Sequence, residues 1–550
     1  PNNMGMSSVC MVPLSYIFSR GQGIKVTSVV SKICSEKNTR MPTLKGMDHV
    51  DSGFEGAIVL DPTPGIYLED PIAVLDFASL YPSCIIENNC SHETYITDQF
   101  YINYLKQSKL LESTCNVITY DNYKYVKTSE TSKTLKKIPD TDNPITTCYF
   151  LKSKRDENGI IEKKSMGILP TVLDHLLTNR SRIKKELKME KDLDKKKVKD
   201  GLQLAYKVTA NSVYGQLGFS KSSIYKKCIA ACTTSIGRTH IYDAKRGVYE
   251  WAEKQNIPKP DIIYGDTDSV FIKFSRTDKH GIEHKGKDAL KYCIQCGIDA
   301  GEYITKYILE YPQDLEYEKT YFPFVLLSKK RYIGDMFVSK RDAETNNCKR
   351  TSMGIVMKRR DNAQIVKYVF GNVIEKLLVD KNYEKTIEWL ENTLQKIKDD
   401  QFHESYFIIS KTLNSYYANP ESIAHKVLAD RISQRDPGNK PLANERIQFM
   451  FQKIIEVEPN GFEKIKVKIQ NGYYKNGNPK YKTSYQNGKP KYKKKKIAPG
   501  DRIETPEFIK KNNIHLDYSY YISNQIMNPV QQLLEQHPKY TSGIFEKYIN

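Results

Sequence analysis

The sequence predicts an α+β fold, with strand-forming segments before and after a pair of long helices. Ile72–Leu75 is a continuous apolar run that suits a buried strand, and residues 261–273 hold two more such runs around a short acidic turn. Between them, residues 170–214 space their apolar side chains as helices do. Helical patterns return in residues 366–397. Separated groups of strands and helices are typical of the α+β class.

Length and composition indicate a globular protein of several domains. A chain of 550 residues corresponds to about three to four domains. With 39% hydrophobic and 11% aromatic residues, it is not a disordered chain. No run approaches the roughly 18 apolar residues of a membrane span, and nothing at the start resembles a signal peptide. The first residue is Pro, so we expect a processed chain or a fragment of a longer protein.

The charge favours a polyanionic partner, either nucleic acid or an anionic membrane surface. Lys and Arg number 85 against 65 acidic residues, a net charge of +20. Twelve of the lysines lie within residues 464–496, which hold no acidic residue, and without them the net charge is +8. This stretch repeats Asn476–Lys482 as Asn487–Lys493, each copy opening on Asn-Gly. Two readings stand equally, an exposed basic hairpin or a flexible loop.

The cysteines indicate a reducing, intracellular compartment. There are eleven, irregularly spaced, and none follows Cys348. The one CxxC pair, Cys293 and Cys296, has no second pair to complete a zinc site, so we interpret both as ordinary thiols.

Two acidic elements suggest a metal site. Asp76 follows the apolar run 72–75, and Asp266 and Asp268 flank Thr267 in a predicted tight turn, Gly265–Asp268, between two strands. Clustered carboxylates repel each other unless a divalent cation bridges them. On neighbouring strands of one sheet, the three could hold two Mg²⁺ ions about 3.5–4 Å apart, an arrangement for phosphoryl or nucleotidyl transfer. The simpler alternatives are an Asp that caps the turn at Ser79 and an ordinary Asp-rich turn.

A helical hairpin with a basic face is predicted between the acidic elements. The first helix begins near Pro170 and carries Arg180. The second runs from about Gly201 to Tyr214, after a charged linker at 188–200. On that second helix Gln203, Lys207, Asn211 and Tyr214 share one face, which could grip phosphates and stack on a base pair. The alternative is a solvated polar face with the Tyr packed on the core.

A basic cluster, Lys329–Tyr332, follows a third apolar segment, Phe322–Leu327. Read as part of a strand, its side chains alternate between two faces, so that one Lys and the Arg point the same way. A contact with a nucleic-acid backbone is one interpretation, and a solvated charge cluster is the other.

These elements resemble the motifs of family B DNA polymerases. DFASLYPS (76–83), KVTANSVYG (207–215) and YGDTDS (264–269) look like motifs A, B and C of that family in order and spacing. KKRY (329–332) resembles a further element. Residues 14–20, 316–319, 359–362 and 435–438 are similar to the delta branch. The resemblance runs from about residue 11 to 535, apart from 97–166 and the lysine repeat. These insertions and the high lysine content look more like a polymerase of a large DNA virus than a cellular one.

The resemblance implies a right-hand polymerase, with a palm of antiparallel sheet and helices, helical-hairpin fingers and a thumb. The implied division is as follows: 1–50 linking to a missing exonuclease or N-terminal region; 51–167 the first part of the palm, with an insertion at 97–166; 168–220 fingers; 221–345 the second part of the palm; 346–550 thumb, with the lysine-rich insertion 464–496.

The resemblance also implies residue roles. Asp76 and Asp268 would be metal ligands together with the Phe77 carbonyl, and Asp266 would support them. The triphosphate would be bound by the backbone amides of Ser79 and Leu80 and by the side chains of Arg180, Lys207 and Asn211. Tyr81 would lie under the sugar and exclude a 2′-hydroxyl. Tyr214 and Gly215 would pack against the nascent base pair. Lys207 could also protonate the leaving group. Lys329, Lys330, Arg331 and Tyr332 would contact primer-template DNA.

The expected function is template-directed addition of deoxynucleotides to a primer 3′-hydroxyl, with two Mg²⁺ ions. Expected partners are primer-template DNA, dNTPs and a sliding clamp or processivity factor, with no membrane. The expected site is intracellular, in the host nucleus or a cytoplasmic replication site if the chain is viral. The exonuclease motifs and the C-terminal Cys clusters of the delta branch are absent, so neither exonuclease activity nor zinc or an iron–sulfur cluster is expected. The alternatives are a protein-primed family B polymerase and a catalytically inactive DNA-binding subunit.

Overall fold

The computed structural model describes residues 2–41, 52–127, 135–453 and 499–549, and the backbone of the strands listed below within 462–496. It divides into two compact units. The first comprises residues 1–63, 69–323 and 334–350, and the second comprises 64–68, 324–333 and 351–550. Within the part described, no helix is both long enough and apolar enough to cross a membrane.

Helices and strands alternate in groups along the chain. The helices are α1 Asn2–Cys10, α2 Leu14–Ser19, α3 Gln22–Glu36, α4 Leu80–Glu87, α5 Gln99–Gln107, α6 Leu111–Thr114, α7 Ile168–Met189, α8 Leu193–Gly218, α9 Lys227–Lys254, α10 Gly286–Tyr307, α11 Lys340–Thr345, α12 Gln364–Glu375, α13 Tyr383–Lys398, α14 Ala424–Arg435, α15 Pro506–Lys511, α16 Tyr518–Tyr521, α17 Met527–Leu534 and α18 Glu546–Ile549. The strands are β1 Ser52–Phe54, β2 Val59–Leu60, β3 Gly65–Tyr67, β4 Ile72–Phe77, β5 Tyr95–Ile96, β6 Cys115–Lys127, β7 Leu135–Pro139, β8 Ile145–Leu151, β9 Asp261–Asp266, β10 Ser269–Lys273, β11 Leu315–Ser328, β12 Arg331–Phe337, β13 Lys349–Met353, β14 Ile409–Thr412, β15 Arg446–Phe451, β16 Phe462–Lys466, β17 Lys468–Tyr473, β18 Pro479–Thr483, β19 Tyr485–Gln486, β20 Lys489–Pro490, β21 Tyr492–Lys496 and β22 Ile503–Glu504.

The centre of the first unit is an antiparallel sheet built around β4. This strand lies between β10 and the first part of β11, and β9 pairs with the other edge of β10. The predicted buried strand at Ile72–Leu75 is confirmed, and it continues through Asp76 and Phe77. Leu75 and Val270 are buried in one core with Val248 and Trp251 of α9. Ile72 and Val74, whose side chains lie on the other face of β4, are buried as well, so both faces of this strand are covered, as its continuous apolar run predicts.

The predicted helical hairpin is confirmed, but its predicted linker is wrong. Helix α7 ends at Met189 and α8 already begins at Leu193, so most of 188–200 is helical. Asp192 caps α8 by accepting hydrogen bonds from two backbone N–H groups, and Nζ of Lys199 lies 3.0 Å from the Glu190 carboxylate. Lys and Glu are good helix formers, and opposite charges across the hairpin favour helix over a solvated linker.

Most of the predicted insertion 97–166 folds as ordered structure. Strands β6 and β8 pair antiparallel, and β1, β5 and β7 complete a five-stranded sheet with them. Ile118 and Phe150 are buried in the core shared with α3, α7 and α8. The sequence does not predict this sheet, because buried and exposed residues do not alternate regularly along β6 and many of its residues are polar.

The second unit has its own core. The helices predicted within 366–397 are confirmed as α12 and α13, and α12 passes into a π-helical turn at Lys376–Asp380. Phe370, Leu390 and Phe449 are buried there with the small sheet β14–β15–β22.

The lysine-rich segment contains paired strands. Strand β16 pairs with β21, β17 with β18 and β19 with β20. Gln486 pairs antiparallel with Lys489, and the choice between a hairpin and a flexible loop at the Asn-Gly of the second repeat stays a prediction. The side chains of this segment, and Asn487 and Gly488 themselves, lie outside the described residues.

Candidate active site

The two acidic elements of the sequence meet at one end of the central sheet. Asp76 of β4 pairs in register with Ser269 of β10, the residue that follows Asp268. The backbone N–H of Phe77 donates a 2.8 Å hydrogen bond to the carbonyl oxygen of Asp268. This bond fixes the backbone of Asp268 beside the end of β4, and the Asp268 charge acts on the Asp76 carboxylate.

The turn that carries Asp268 is tighter than predicted. Gly265 and Asp266 still belong to β9, so the turn consists of Thr267 and Asp268 alone. Thr267 has a φ of 61°, a left-handed conformation that disfavours a β-branched residue, so the turn carries local strain. The Asp266 carboxylate accepts hydrogen bonds from the hydroxyls of Tyr264 (3.2 Å) and Thr267 (3.1 Å). Both of these bonds are local, to the turn and to the same strand.

The electrostatics of the site are those of carboxylates held together against their repulsion. Burial and the nearby Asp268 charge raise the pKa of Asp76 to about 7. Burial likewise raises the pKa of Asp268, and the Asp266 charge adds to this. The Lys207 cation opposes both shifts, so α8 brings this side chain within electrostatic reach of both carboxylates.

Two charged residues that we did not predict lie beside this pair. Glu318 raises, and Lys319 lowers, the pKa of Asp76, and the two form an ion pair of 2.8 Å with each other. The pairing of β11 with β4 shifts register between Tyr317 and Lys319. Such a bulge turns a side chain off the regular alternation. The charge alternation of 316–319 was a signal, but the sequence does not show that β11 pairs with β4.

The donor chemistry of the site fits a hard divalent cation. Carboxylate oxygens are the ligands that Mg²⁺ prefers, and a cation between Asp76 and Asp268 would offset the burial and the like charges that raise both pKa values. Among the residues that the structure describes, however, no three His, Cys, Asp or Glu side chains are grouped closely enough to hold an ion. Asp76 and Asp268 are therefore two candidate ligands, and the Asp266 charge lies near enough to raise the pKa of Asp268.

Helix α8 presents the predicted polar face to solvent. Lys207, Asn211 and Gly215 are exposed at successive four-residue steps, whereas Ala205 and Val213 are buried on the opposite face. A Cβ at Gly215 would meet nothing within 4 Å, so this ridge is open to a ligand. The prediction of one polar face is confirmed for Lys207 and Asn211, whereas Gln203 and Tyr214, which we predicted on the same face, are half-buried.

The start of α4 lies close to Arg180 of α7. Ser79 precedes the helix with a φ of 65°, and its hydroxyl oxygen accepts a 3.3 Å hydrogen bond from Arg180. The first amides of a helix have no partner within it, so those of Leu80 and Tyr81 are available to an anion. Arg180 Nε is buried without a hydrogen-bond partner among the described residues, and burial lowers the pKa of this guanidinium.

A cavity of about 470 Å³ adjoins this point. It is lined by Ser79 and Arg180 and also by Lys184 and Lys185 of α7. Lys184 lies one turn after Arg180 on the same helix. Burial, and then the Glu316 charge, raise the pKa of Asp314 across the cavity, and the Lys184 charge opposes this shift. We did not predict Lys184 as a site residue, although its i+4 spacing from Arg180 was a usable signal.

The rings of Tyr81 and Tyr214 are packed together, with centroids 4.5 Å apart. Burial, and then Tyr214, raises the pKa of Tyr81, so its hydroxyl stays protonated. This contact joins the start of α4, which carries Tyr81, to the last turns of α8, which carry Tyr214.

The basic cluster Lys329–Tyr332 lies in the second unit, and its predicted alternation is wrong. Lys329 and Lys330 form the turn between β11 and β12, with Lys330 at a φ of 59°, and β12 begins at Arg331. Side chains alternate only along a strand, so the argument does not hold for turn residues. Arg331 donates a 2.8 Å hydrogen bond to Gln532.

Cys293 and Cys296 lie buried on α10, and Cys293 donates a weak hydrogen bond to the carbonyl oxygen of Pro71. Burial raises the pKa of each thiol, which is the environment of inert core cysteines.

A sheet end with paired carboxylates, next to a helical hairpin with an exposed basic face, is the arrangement of palm and fingers in polymerase folds. The sequence matches the model of DNA polymerase family B over residues 12–537. The chain belongs to this family.

Its relatives include viral and cellular replicative enzymes. It is 40% identical to the DNA polymerase of Pyramimonas orientalis virus, over 97% of this chain and 42% of the relative. It is 30% identical to the DNA polymerase delta catalytic subunit of Caenorhabditis elegans and 31% identical to that of Candida albicans, over 97% of this chain and 41% and 42% of those proteins. The chain thus spans less than half the length of these curated relatives.

A solved structure supports the fold. The family B DNA polymerase of Pyrobaculum calidifontis matches with a TM-score of 0.58 and 20% identity, over 97% of this chain and 54% of that one. The predicted α+β polymerase fold is confirmed.

Proposed function

We propose that this chain is the core of a template-directed DNA polymerase, which adds deoxynucleotides to a primer 3′-hydroxyl. The observation that carries the proposal is that Asp76 at the end of β4 and Asp268 in the turn before β10 lie within electrostatic reach of each other and of Lys207 from the helical hairpin. Membership of family B adds to it. A binding subunit without activity would gain nothing from carboxylates held together at an energetic cost.

The metal in this proposal is a pair of Mg²⁺ ions. Asp76, Asp268 and the Phe77 carbonyl would hold them, with Asp266 as a supporting carboxylate. Bound divalent cations would lower the pKa of the primer hydroxyl and stabilise the charge of the leaving pyrophosphate.

The remaining roles belong to the chain's own side chains. Arg180, Lys207 and Asn211 would bind the triphosphate, together with the amides of Ser79 and Leu80 at the start of α4. Lys184 would add a further cation on the Arg180 side of the cavity. Contacts to the triphosphate from α7, α8 and the start of α4 would orient the α-phosphate toward the primer hydroxyl. The reaction between two bound and positioned groups then replaces a bimolecular encounter.

Selection of the nucleotide would depend on the packed aromatic pair. Tyr81 would lie under the incoming sugar and exclude a 2′-hydroxyl. Tyr214 and Gly215 would pack against the nascent base pair, where the open space at Gly215 admits a close approach.

The proposed partners are primer-template DNA and dNTPs, with a sliding clamp or other processivity factor in addition. Lys329, Lys330, Arg331 and Tyr332 would contact the DNA near the primer end. We place the palm at about 51–167 and 221–345, the fingers at 168–220, and the thumb from 346 onwards.

Primer extension with Mg²⁺ tests the proposal. The intact chain should extend an annealed primer in a template-dependent manner, and Asp268→Ala should abolish extension while retaining DNA binding. Asp261→Ala is the matched control. Asp261 lies on β9, the strand that leads into the Asp268 turn, but it is exposed in an ion pair with Lys273. DNA binding without extension by the intact chain would contradict the proposal and favour an inactive subunit.

A further inference from the structure

A glycine lies inside a long helix of the first unit, where its backbone does not require one. Helix α9 has 28 residues, and Gly237 is eleventh among them. Apart from proline, glycine is the residue least favourable to a helix interior, and Gly237 is not among the residues with positive φ. The reason for this glycine is therefore found in its surroundings.

The backbone of α9 at Gly237 is in close contact with the ring of Tyr81. A Cβ added there would lie 3.0 Å from Cε1 and 3.5 Å from Cδ1 of that ring, and 3.5 Å from Cδ2 of Leu80. Carbon atoms in optimal contact lie about 3.5–4.0 Å apart, so a methyl group would displace the ring. The absence of a side chain at Gly237 therefore sets how deeply Tyr81 lies against α9.

The Tyr81 ring is in contact with a second helix as well. It packs on Tyr214 of α8, with a centroid separation of 4.5 Å. Helix α8 also carries Lys207 and Asn211 on its exposed face. A displacement of Tyr81 by a side chain at Gly237 therefore changes the packing of its ring beside the helix that the nucleotide would contact.

We propose that Gly237 is a positioning residue for sugar selection, because it fixes the depth of the Tyr81 ring and thereby the space left at C2′ of the incoming nucleotide. This inference rests on the proposed function, which puts Tyr81 under the sugar. Gly237 itself touches no substrate and acts only through Tyr81.

Single-nucleotide incorporation by Gly237→Ala tests this. We measure kcat and KM for a dNTP and for the matching rNTP, in the wild-type background and in a Tyr81→Val background. With Tyr81 present, the added methyl should lower kcat/KM for the dNTP about tenfold, mainly through KM, since one methyl group in a packed site changes discrimination by that order. With Val at position 81, the same substitution should change kcat/KM less than about twofold.

The matched control is Gly371→Ala, another glycine inside a helix. Its added Cβ would meet only the flexible end of Met357, at 3.3 Å. This variant should leave kcat/KM for both nucleotides unchanged. An effect of Gly237→Ala that is equal in both backgrounds, or absent in the wild type, would overturn the inference.

Two further outcomes keep the test decisive. If Gly237→Ala does not fold, the double variant with Tyr81→Val should fold, and failure of that rescue would overturn the inference. If Tyr81→Val leaves the rNTP to dNTP ratio unchanged, the role of Tyr81 is wrong and the inference falls with it. Loss of extension in Asp268→Ala would still support the proposed polymerase, so the two failures are distinguishable.

Discussion

The backbone N–H of Phe77 and the carbonyl oxygen of Asp268 are joined by a hydrogen bond of 2.8 Å. This single bond joins the end of β4 to the turn after β9, two segments that are far apart in the sequence. Because it involves only backbone atoms, it holds the two acidic elements together whatever their side-chain charges are. The sheet can therefore maintain the Asp76 and Asp268 carboxylates in an arrangement that their own repulsion opposes.

Removal of one carboxylate should stabilise the fold. We expect Asp76→Asn to raise the apparent melting temperature in a chelating buffer by roughly 2 °C, because the burial and repulsion that raise the pKa of Asp76 act on its charged form. Mg²⁺ should stabilise the wild type but not this variant. Thermal unfolding followed by circular dichroism measures both effects, with Asp261→Asn as control. A lower melting temperature for Asp76→Asn would contradict the interpretation.

A buried polar network behind α4 should matter for stability. The Glu87 carboxylate accepts 2.8 Å hydrogen bonds from His240 Nε2 and Gln313 Nε2. Glu87→Ala leaves His240 Nε2 without this acceptor and Gln313 Nε2 with its weak 3.5 Å hydrogen bond to Cys84 Sγ, and we expect the apparent melting temperature to fall by about 5 °C. Glu112→Ala, at an exposed position, should change it by less than about 1 °C. Equal melting temperatures for the two variants would show that the network contributes little.

Lys207 should act on the chemical step as well as on nucleotide binding. We expect Lys207→Leu to lower kcat about a hundredfold and to raise KM for dNTPs, because a cation near the triphosphate and a proton donor are both lost. If Lys207 protonates the leaving group, the variant also loses a pH-dependent part of its rate. Rapid-quench measurements across pH test this. Lys197→Leu is the control, because Lys197 is an exposed lysine of the same helix that forms an ion pair with Asp194.

His92 should make stability depend on pH. Burial lowers the pKa of this imidazole, so the folded chain binds its proton less readily than the unfolded chain. The contribution of His92 to stability should therefore be fully present above the pKa of the unfolded state, about 6.5. It should be lost as the pH falls from there through the lower pKa of the folded state. His92→Gln should flatten this decline, and His280→Gln, at an exposed position, should not. Melting temperatures between pH 7.5 and 5 measure the difference, and parallel curves for wild type and His92→Gln would refute it.

The local elements of this protein follow from its sequence. The apolar run at Ile72–Leu75 became a buried strand, and the spacing of Lys207 and Asn211 became one exposed helix face, because these patterns depend on periodicity alone. The family was likewise recognisable from three short motifs. Charge density was a poorer guide, since the charged stretch 188–200 was predicted as a linker and is mostly helix.

Only the tertiary structure decided which of these elements meet. The sequence does not show that β11 pairs with β4 and brings Glu318 beside Asp76, that Lys184 lines the same cavity as Arg180, or that Gly237 lies against Tyr81. Each of these relationships joins segments distant in the chain, and each depends on sheet register and on the distance between packed helices. Periodicity reports the face on which a side chain lies, whereas its neighbours across that face are determined by how the chain closes on itself.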